Sequence, residues 1–127
     1  MIDDSRVTYL VLGKEKIPLL LTLKATRDIA TRYGGLEELG NKMLESMDWT
    51  GMVDEIVWLI VTLANQCILI ENLENKTNKP LLTPNELELR MDPYEMTSYR
   101  EAILTALQAG QKQHVQSEEE PKNALAG

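Results

Sequence analysis

Between Ile56 and Ile70 the chain reads Ile-Val-Trp-Leu-Ile-Val-Thr-Leu-Ala-Asn-Gln-Cys-Ile-Leu-Ile, an apolar run broken only by Thr62, Asn65 and Gln66. It is shorter than the roughly 20 apolar residues a bilayer-spanning helix requires, so it is expected to be a core helix and no membrane contact is expected. Extended to its natural limits, the helix spans about Gly51 to Leu73. Val53, Ile56, Val57, Ile60, Leu63, Ala64, Cys67 and Ile70 form one broad apolar face, and Glu55, Thr62, Asn65, Gln66 and Asn72 mark a narrow polar stripe. Trp58, Leu59, Leu69 and Leu73 carry apolar surface toward that stripe, so the helix must be covered from more than one side.

The flanking segments supply the cover. Val7–Leu12 and Lys16–Leu23 are apolar and β-branched runs on either side of Gly13-Lys14-Glu15, which predicts a β-hairpin, with Pro18 placing the second strand at a sheet edge. Two strands are marginal alone and need helices packed on them. Lys24–Tyr33 has helical spacing and a stop at Gly34-Gly35; Leu36–Met47 follows as a second helix weakened by Gly40; Asp48 or Thr50 caps the central helix. After the polar turn 74–80, Thr83-Pro84-Asn85-Glu86 has a capping-box pattern that starts a short helix to about Met91. Asp92-Pro93 then starts a longer one carrying Met96, Tyr99, Ile103, Leu104 and Leu107, with Gly110 beginning its end. The fold class is therefore α+β, a two-stranded hairpin packed on a mostly helical body. Residues 1–111 are expected to form a single domain, followed by a disordered acidic tail over 112–127 that has almost nothing apolar to bury.

At 127 residues and 43% hydrophobic content, one core is the expected outcome, and with no Phe it is aliphatic. The formal charge of −7 disfavours nucleic acid as a partner, because such binders present a basic face that displaces counterions. Residues 1–34 carry a net of +2, which leaves −9 for the remainder. That asymmetry is able to steer a partner, or a second copy into a homo-oligomer, although two unevenly decorated faces account for it more simply. The single Cys67 lies among apolar residues, and the opening Met-Ile-Asp-Asp-Ser-Arg lacks a signal-peptide pattern; both suit the cytoplasm.

Catalytic machinery is not expected. With Cys67 in an apolar helix and His114 in the tail, no His/Cys triad or metal site assembles. The carboxylates Glu37-Glu38, Asp54-Glu55 and Glu86/Glu88 have the spacing of solvated helix faces. Gly13-Lys14 lacks the other residues of a phosphate loop, and no cofactor is expected. What the sequence offers instead is Trp49 and Trp58, with Met43, Met47 and Met52 nearby, which taken singly fit core filling better and taken as a group fit an adaptable apolar surface, extended by Leu69 and Leu73. Trp49, Met52, Trp58, Leu69 and Leu73 are the candidate partner-binding residues.

The hairpin ending in Leu21-Thr22-Leu23-Lys24-Ala25, followed by Ile29 to Leu39 with its Tyr-Gly-Gly-Leu-Glu-Glu-Leu stretch, an apolar middle helix and an acidic tail, resembles the tail assembly chaperones of long-tailed, siphovirus-type phages and Gram-positive prophages. The resemblance is in the order of features over most of the chain and involves no catalytic motif. It implies a non-catalytic protein of the host cell cytoplasm whose partner is the tape-measure protein, or another phage tail protein, during tail morphogenesis. Many members of that family are extended by ribosomal slippage near the end of the short product, and Lys122-Asn123 is the one Lys-Asn pair whose codons, as AAA-AAC, would complete such a slip site. Two alternatives share the small acidic composition: a structural phage subunit of the tail-completion or head-tail connector kind, and an acidic regulatory protein that binds a DNA-binding partner.

Overall fold

In the computed structural model residues 4–45 and 48–126 are described, with side chains over 4–42, 45 and 48–111. Strands β1 (Thr8–Leu12) and β2 (Glu15–Leu19) are followed by helices α1 (Leu23–Tyr33), α2 (Leu36–Leu44), α3 (Trp49–Asn75), α4 (Pro84–Arg90) and α5 (Met96–Ala126). One 3₁₀ turn precedes β1 at Asp4–Arg6, and another, Pro93–Glu95, leads into α5.

The two strands pair antiparallel, with Leu12 opposite Glu15 and Thr8 opposite Leu19. Only Gly13 and Lys14 lie between the closing pair, and Gly13 has φ +61° while Lys14 stays out of the positive region. That is the pattern of a type II′ turn, whose twist matches that of the strands. The turn bond runs from the Glu15 N–H to the Leu12 carbonyl, and bonded pairs then alternate along the ladder. Pro18, opposite Tyr9, consequently falls at an unbonded pair, where its missing N–H removes nothing from the hairpin. Side chains alternate likewise: Leu10 and Leu12 are buried and Tyr9 and Val11 exposed.

The second strand is shorter than the run to Leu23 predicts. Thr22 is diverted to cap α1, its hydroxyl accepting from the Ala25 N–H at 3.0 Å, while the Leu20 N–H donates to the Leu63 carbonyl of α3 at 3.2 Å. α1 stops where expected, at Gly34, whose left-handed φ of 101° lets its N–H reach the Ala30 carbonyl. α2 is described to Leu44; the expected continuation to Met47 falls on residues 46–47, outside the described set.

Asp48 caps α3 by accepting from the Gly51 N–H at 2.8 Å, which starts the helix two residues earlier than expected and brings Trp49 into its first turn. By length and apolar composition α3 meets the requirement for crossing a bilayer. In this fold it is the core helix: its buried residues run from Ile56 to Cys67, enclosed by the inner face of the hairpin, α1, α4 and α5. Leu10, Leu12 and Leu19 of the hairpin, Ala25 and Ile29 of α1, Leu39 of α2, Leu87 of α4 and Met96, Tyr99 and Ile103 of α5 belong to the same cluster.

The polar stripe of α3 does not face water along its length. The Asn65 side chain forms a matched pair with the Leu82 backbone, donating to its carbonyl at 3.0 Å and accepting from its N–H at 2.8 Å. Gln66 donates to the Thr62 carbonyl and accepts from the Thr22 hydroxyl. Asn72 binds the Lys79 backbone in the same two-way manner as Asn65 binds Leu82. A stripe that reads as solvated surface is where the chain before α1 and the loop after α3 are fastened.

Thr83 caps α4 as expected, its hydroxyl accepting from the Glu86 N–H at 3.2 Å, while the Glu86 carboxylate accepts from that hydroxyl at 3.0 Å instead of from the Thr83 backbone N–H of a full capping box. Gly110 differs from expectation. It lies inside α5 and is buried, and a Cβ placed on it would sit 2.7 Å from Leu21 Cδ2 and 3.0 Å from Leu21 Cβ. Its small size allows helix and chain to approach closely. The acidic segment 112–127 lies outside the described side chains, as does His114; the backbone there continues the α5 helix to Ala126.

Two stability measurements follow. Gly110→Val forces a branched side chain against Leu21 and is expected to cost about 2 kcal/mol in urea denaturation. Asn65→Ala removes both partners of the partly buried Leu82 N–H and carbonyl and is expected to cost about 1 kcal/mol, whereas removing the exposed Asn85 side chain should change stability by less than about 0.5 kcal/mol.

Candidate partner-binding surface

The five candidate residues all lie on α3, but the helix does not bring them together. Each residue advances 100° and 1.5 Å, so Trp49 and Leu73 are about 36 Å apart along the axis. Trp49, in the first turn, is 58% exposed. Met52 is half-buried and packs on the core. Met43 and Met47, expected beside it, lie outside the described side chains.

Trp58 is tied into a polar cluster that joins α1 to α3. The Arg32 guanidinium carbon lies 4.6 Å from the Trp58 ring centroid, a cation–π contact, and the Tyr33 ring meets Trp58 edge-on at 6.0 Å and 77°. Arg32 bonds the Glu55 carboxylate at 3.2 and 3.4 Å, and the Tyr33 hydroxyl donates a short hydrogen bond to the same group. Glu55 is therefore not the solvated surface acid that its spacing suggests. Trp58 serves as the floor of this cluster and is half-buried against the core, so it is not a free anchor.

The electrostatics of the cluster follow from its geometry. Burial works against ionising Glu55, but the hydrogen bonds from Tyr33 and Arg32 outweigh it and hold the carboxyl below its ordinary range. Burial, with the bond to Glu55 adding to it, pushes the Tyr33 phenol up to about 12. At neutral pH the pair is carboxylate and phenol, and neither titrates near 7, where a general acid or base works best. An open cleft of about 580 Å³ beside the cluster is lined by Arg32, Glu38, Lys42 and Glu45 among others and is polar and mixed in charge. Burial also raises the Cys67 thiol, which keeps it protonated. Among the described residues no group of three His, Cys, Asp or Glu side chains is placed to hold a metal ion.

The apolar surface left over lies at the other end of α3. Leu69 and Ile70 are half-buried, and Leu73, one turn further on, is 81% exposed. Leu69 and Leu73 are four residues apart and Ile70 and Leu73 three, so all three share one side of the helix. The neighbouring side is occupied by the loop that Asn65 and Asn72 hold through Leu82 and Lys79, and Gln66 marks where Thr22 closes over the helix. Beyond that closure the cover thins, from the partly exposed Leu69 and Ile70 to the exposed Leu73. Ile70 reads as core in the sequence because its spacing continues the Ile56–Leu63 face; only the end of the covering layer shows that it does not stay buried. Leu89 and Tyr94, at 80% and 94% exposure, are further outward apolar groups that sequence periodicity did not single out.

Comparison with protein-family models, with curated proteins and with solved structures returns no match.

The cluster generates a pH dependence. Glu55 titrates lower when folded, so its contribution is present above the unfolded carboxylate pKa and is lost as pH falls through the folded one. Tyr33 titrates higher, so its contribution is whole below about 10 and is lost as pH rises through about 12. Tyr33→Phe is expected to cost about 1 kcal/mol at pH 7, to flatten the alkaline limb of the stability profile, and to change Trp58 fluorescence; titrating unfolding midpoints from pH 3 to 12 checks all of this.

Proposed function

We propose that this chain is a non-catalytic binding protein that covers an apolar helical stripe on a partner polypeptide. Following the sequence resemblance, we propose further that the partner is the tape-measure protein, kept dispersed until the phage tail assembles around it. The observation that carries the reading is the far end of α3, where Leu69 and Ile70 are only partly covered and Leu73 is exposed on the same side of the helix. An apolar stripe of this spacing suits a helical client, which meets such a face with residues three and four apart. Leu73, one turn beyond the partly exposed Leu69 and Ile70, gives such a client a point of contact. The net charge of −7 supports the same reading, since a binder that coats an aggregation-prone chain must repel other coated copies.

Leu73 is the residue to test, because its exposure separates binding from folding. Leu73→Asp is expected to change stability by less than about 0.5 kcal/mol and to reduce co-purification with a co-expressed tape-measure protein at least tenfold. Equal recovery of the partner by Leu73→Asp and the parent chain would remove this surface from the reading. Recovery of the chain in stoichiometric amounts from purified virions would instead favour a structural tail subunit.

A further inference from the structure

The two edges of the hairpin differ in kind. Alternation from the Leu12/Glu15 pair directs the backbone groups of Thr8, Leu10 and Leu12 into the ladder, so the N–H and carbonyl groups of Tyr9 and Val11 point out along the other edge of β1. Among the described residues β1 takes no part in the backbone hydrogen bonds that link separate elements. The outer edge of β2 carries Lys16 and Pro18, a charge and a missing donor, which are two common means of blocking strand addition, and the chain leaves it through the Leu20–Leu63 bond. The β1 edge has neither protection: Tyr9 and Val11 are uncharged, exposed and strong strand formers.

That open edge faces a cleft of about 720 Å³, whose far wall is formed by the α4–α5 junction and includes Arg90, Asp92, Glu95 and Tyr99. Arg90 is engaged with Glu15 at 2.8 Å, and Tyr99 donates no charge but holds the Asp92 N–H on its hydroxyl at 2.7 Å. The Asp92 and Glu95 carboxylates accept only from the neighbouring Tyr94 N–H and Ser98 hydroxyl, with no cation paired to either among the described residues. The wall opposite the open strand is thus negative.

We propose that β1 is a docking edge for an extended segment of a partner polypeptide. The segment adds as a third strand against Tyr9 and Val11 and carries Lys or Arg toward Asp92 and Glu95. The five residues of β1 span about 17 Å, which sets a bound segment of about five residues. Main-chain hydrogen bonds to Tyr9 and Val11 give affinity, and the acidic wall selects basic side chains at alternate positions. This edge is separate from the α3 surface, and the inference stands or falls without it.

The test is to pan a displayed library of linear heptapeptides against the full chain. Expected are enriched peptides that alternate β-branched residues with Lys or Arg and that slow hydrogen exchange at the Tyr9 and Val11 amides. Val11→Pro removes one outward N–H at a pair that contributes no ladder bond, as Pro18 does opposite Tyr9, and should weaken those peptides at least tenfold, while Leu73→Asp should leave them unchanged. Should Val11→Pro disturb the hairpin, exchange at the two amides in the parent chain decides alone. Failure to enrich any such peptide, or enriched peptides that leave both amides unprotected, overturns the proposal. So does a dimer in sedimentation equilibrium that protects the same amides without peptide, which would make a second copy the occupant.

Discussion

The fold depends on closing other parts of the chain over a helix with too few polar residues to define a solvent face. Among the polar residues of α3, Glu55, Asn65, Gln66 and Asn72 are each used to hold another segment: Arg32 and Tyr33 of α1, the Leu82 backbone, Thr22, and the Lys79 backbone. A buried amide without a partner is costly, and one that pairs with a free backbone segment is directional. Apolar packing supplies the drive to cover α3, whereas these side chains specify which segment covers which side. The hairpin, α1 and the 76–83 loop are placed by that division.

Closure of this kind ends where the fasteners end. Past Gln66 on one side and Asn72 on the other, cover of the helix thins among the described residues: Leu69 and Ile70 are partly exposed and Leu73 stands in water. The same logic applies to the hairpin. A two-stranded sheet has two edges; one is blunted by Lys16 and Pro18 and lies toward α3, and the other is left with its hydrogen-bonding groups turned to a cleft. Both surfaces are incomplete layers, one short of apolar cover and the other short of a strand. Under the two proposals above, the missing part is a partner's helix face in one case and a partner's strand in the other.

The groups with displaced proton affinities tell a consistent story. Glu55 and Tyr33 are displaced away from neutrality in opposite directions, toward the charged and the neutral form respectively. Such displacement stabilises a contact; it does not prepare a proton for transfer. The cluster serves to attach α1, and its aromatic floor, Trp58, is withdrawn from any role as an exposed anchor.

The hairpin with its Gly13 turn, the Gly34 stop, the Thr83 cap and the α+β class were all legible in the amino-acid sequence, because each rests on local chemistry: a permissive backbone, a side-chain cap, or a period of two or 3.6. Tertiary structure alone decided what faced outward. Glu55 has the spacing of a solvated acid and Asn65 falls in a polar stripe, yet both fasten other segments to α3; Gly110 has the look of a helix stop and is a point of close approach to Leu21; Ile70 has the register of core and lies at the margin. Of the candidate surface, Trp49 and Leu73 are exposed, Leu69 is partly so, and Met52 and Trp58 are engaged within the fold. Periodicity says which residues share a face of a helix, but whether that face is covered depends on where distant segments stop, and that is set by contacts far apart along the chain.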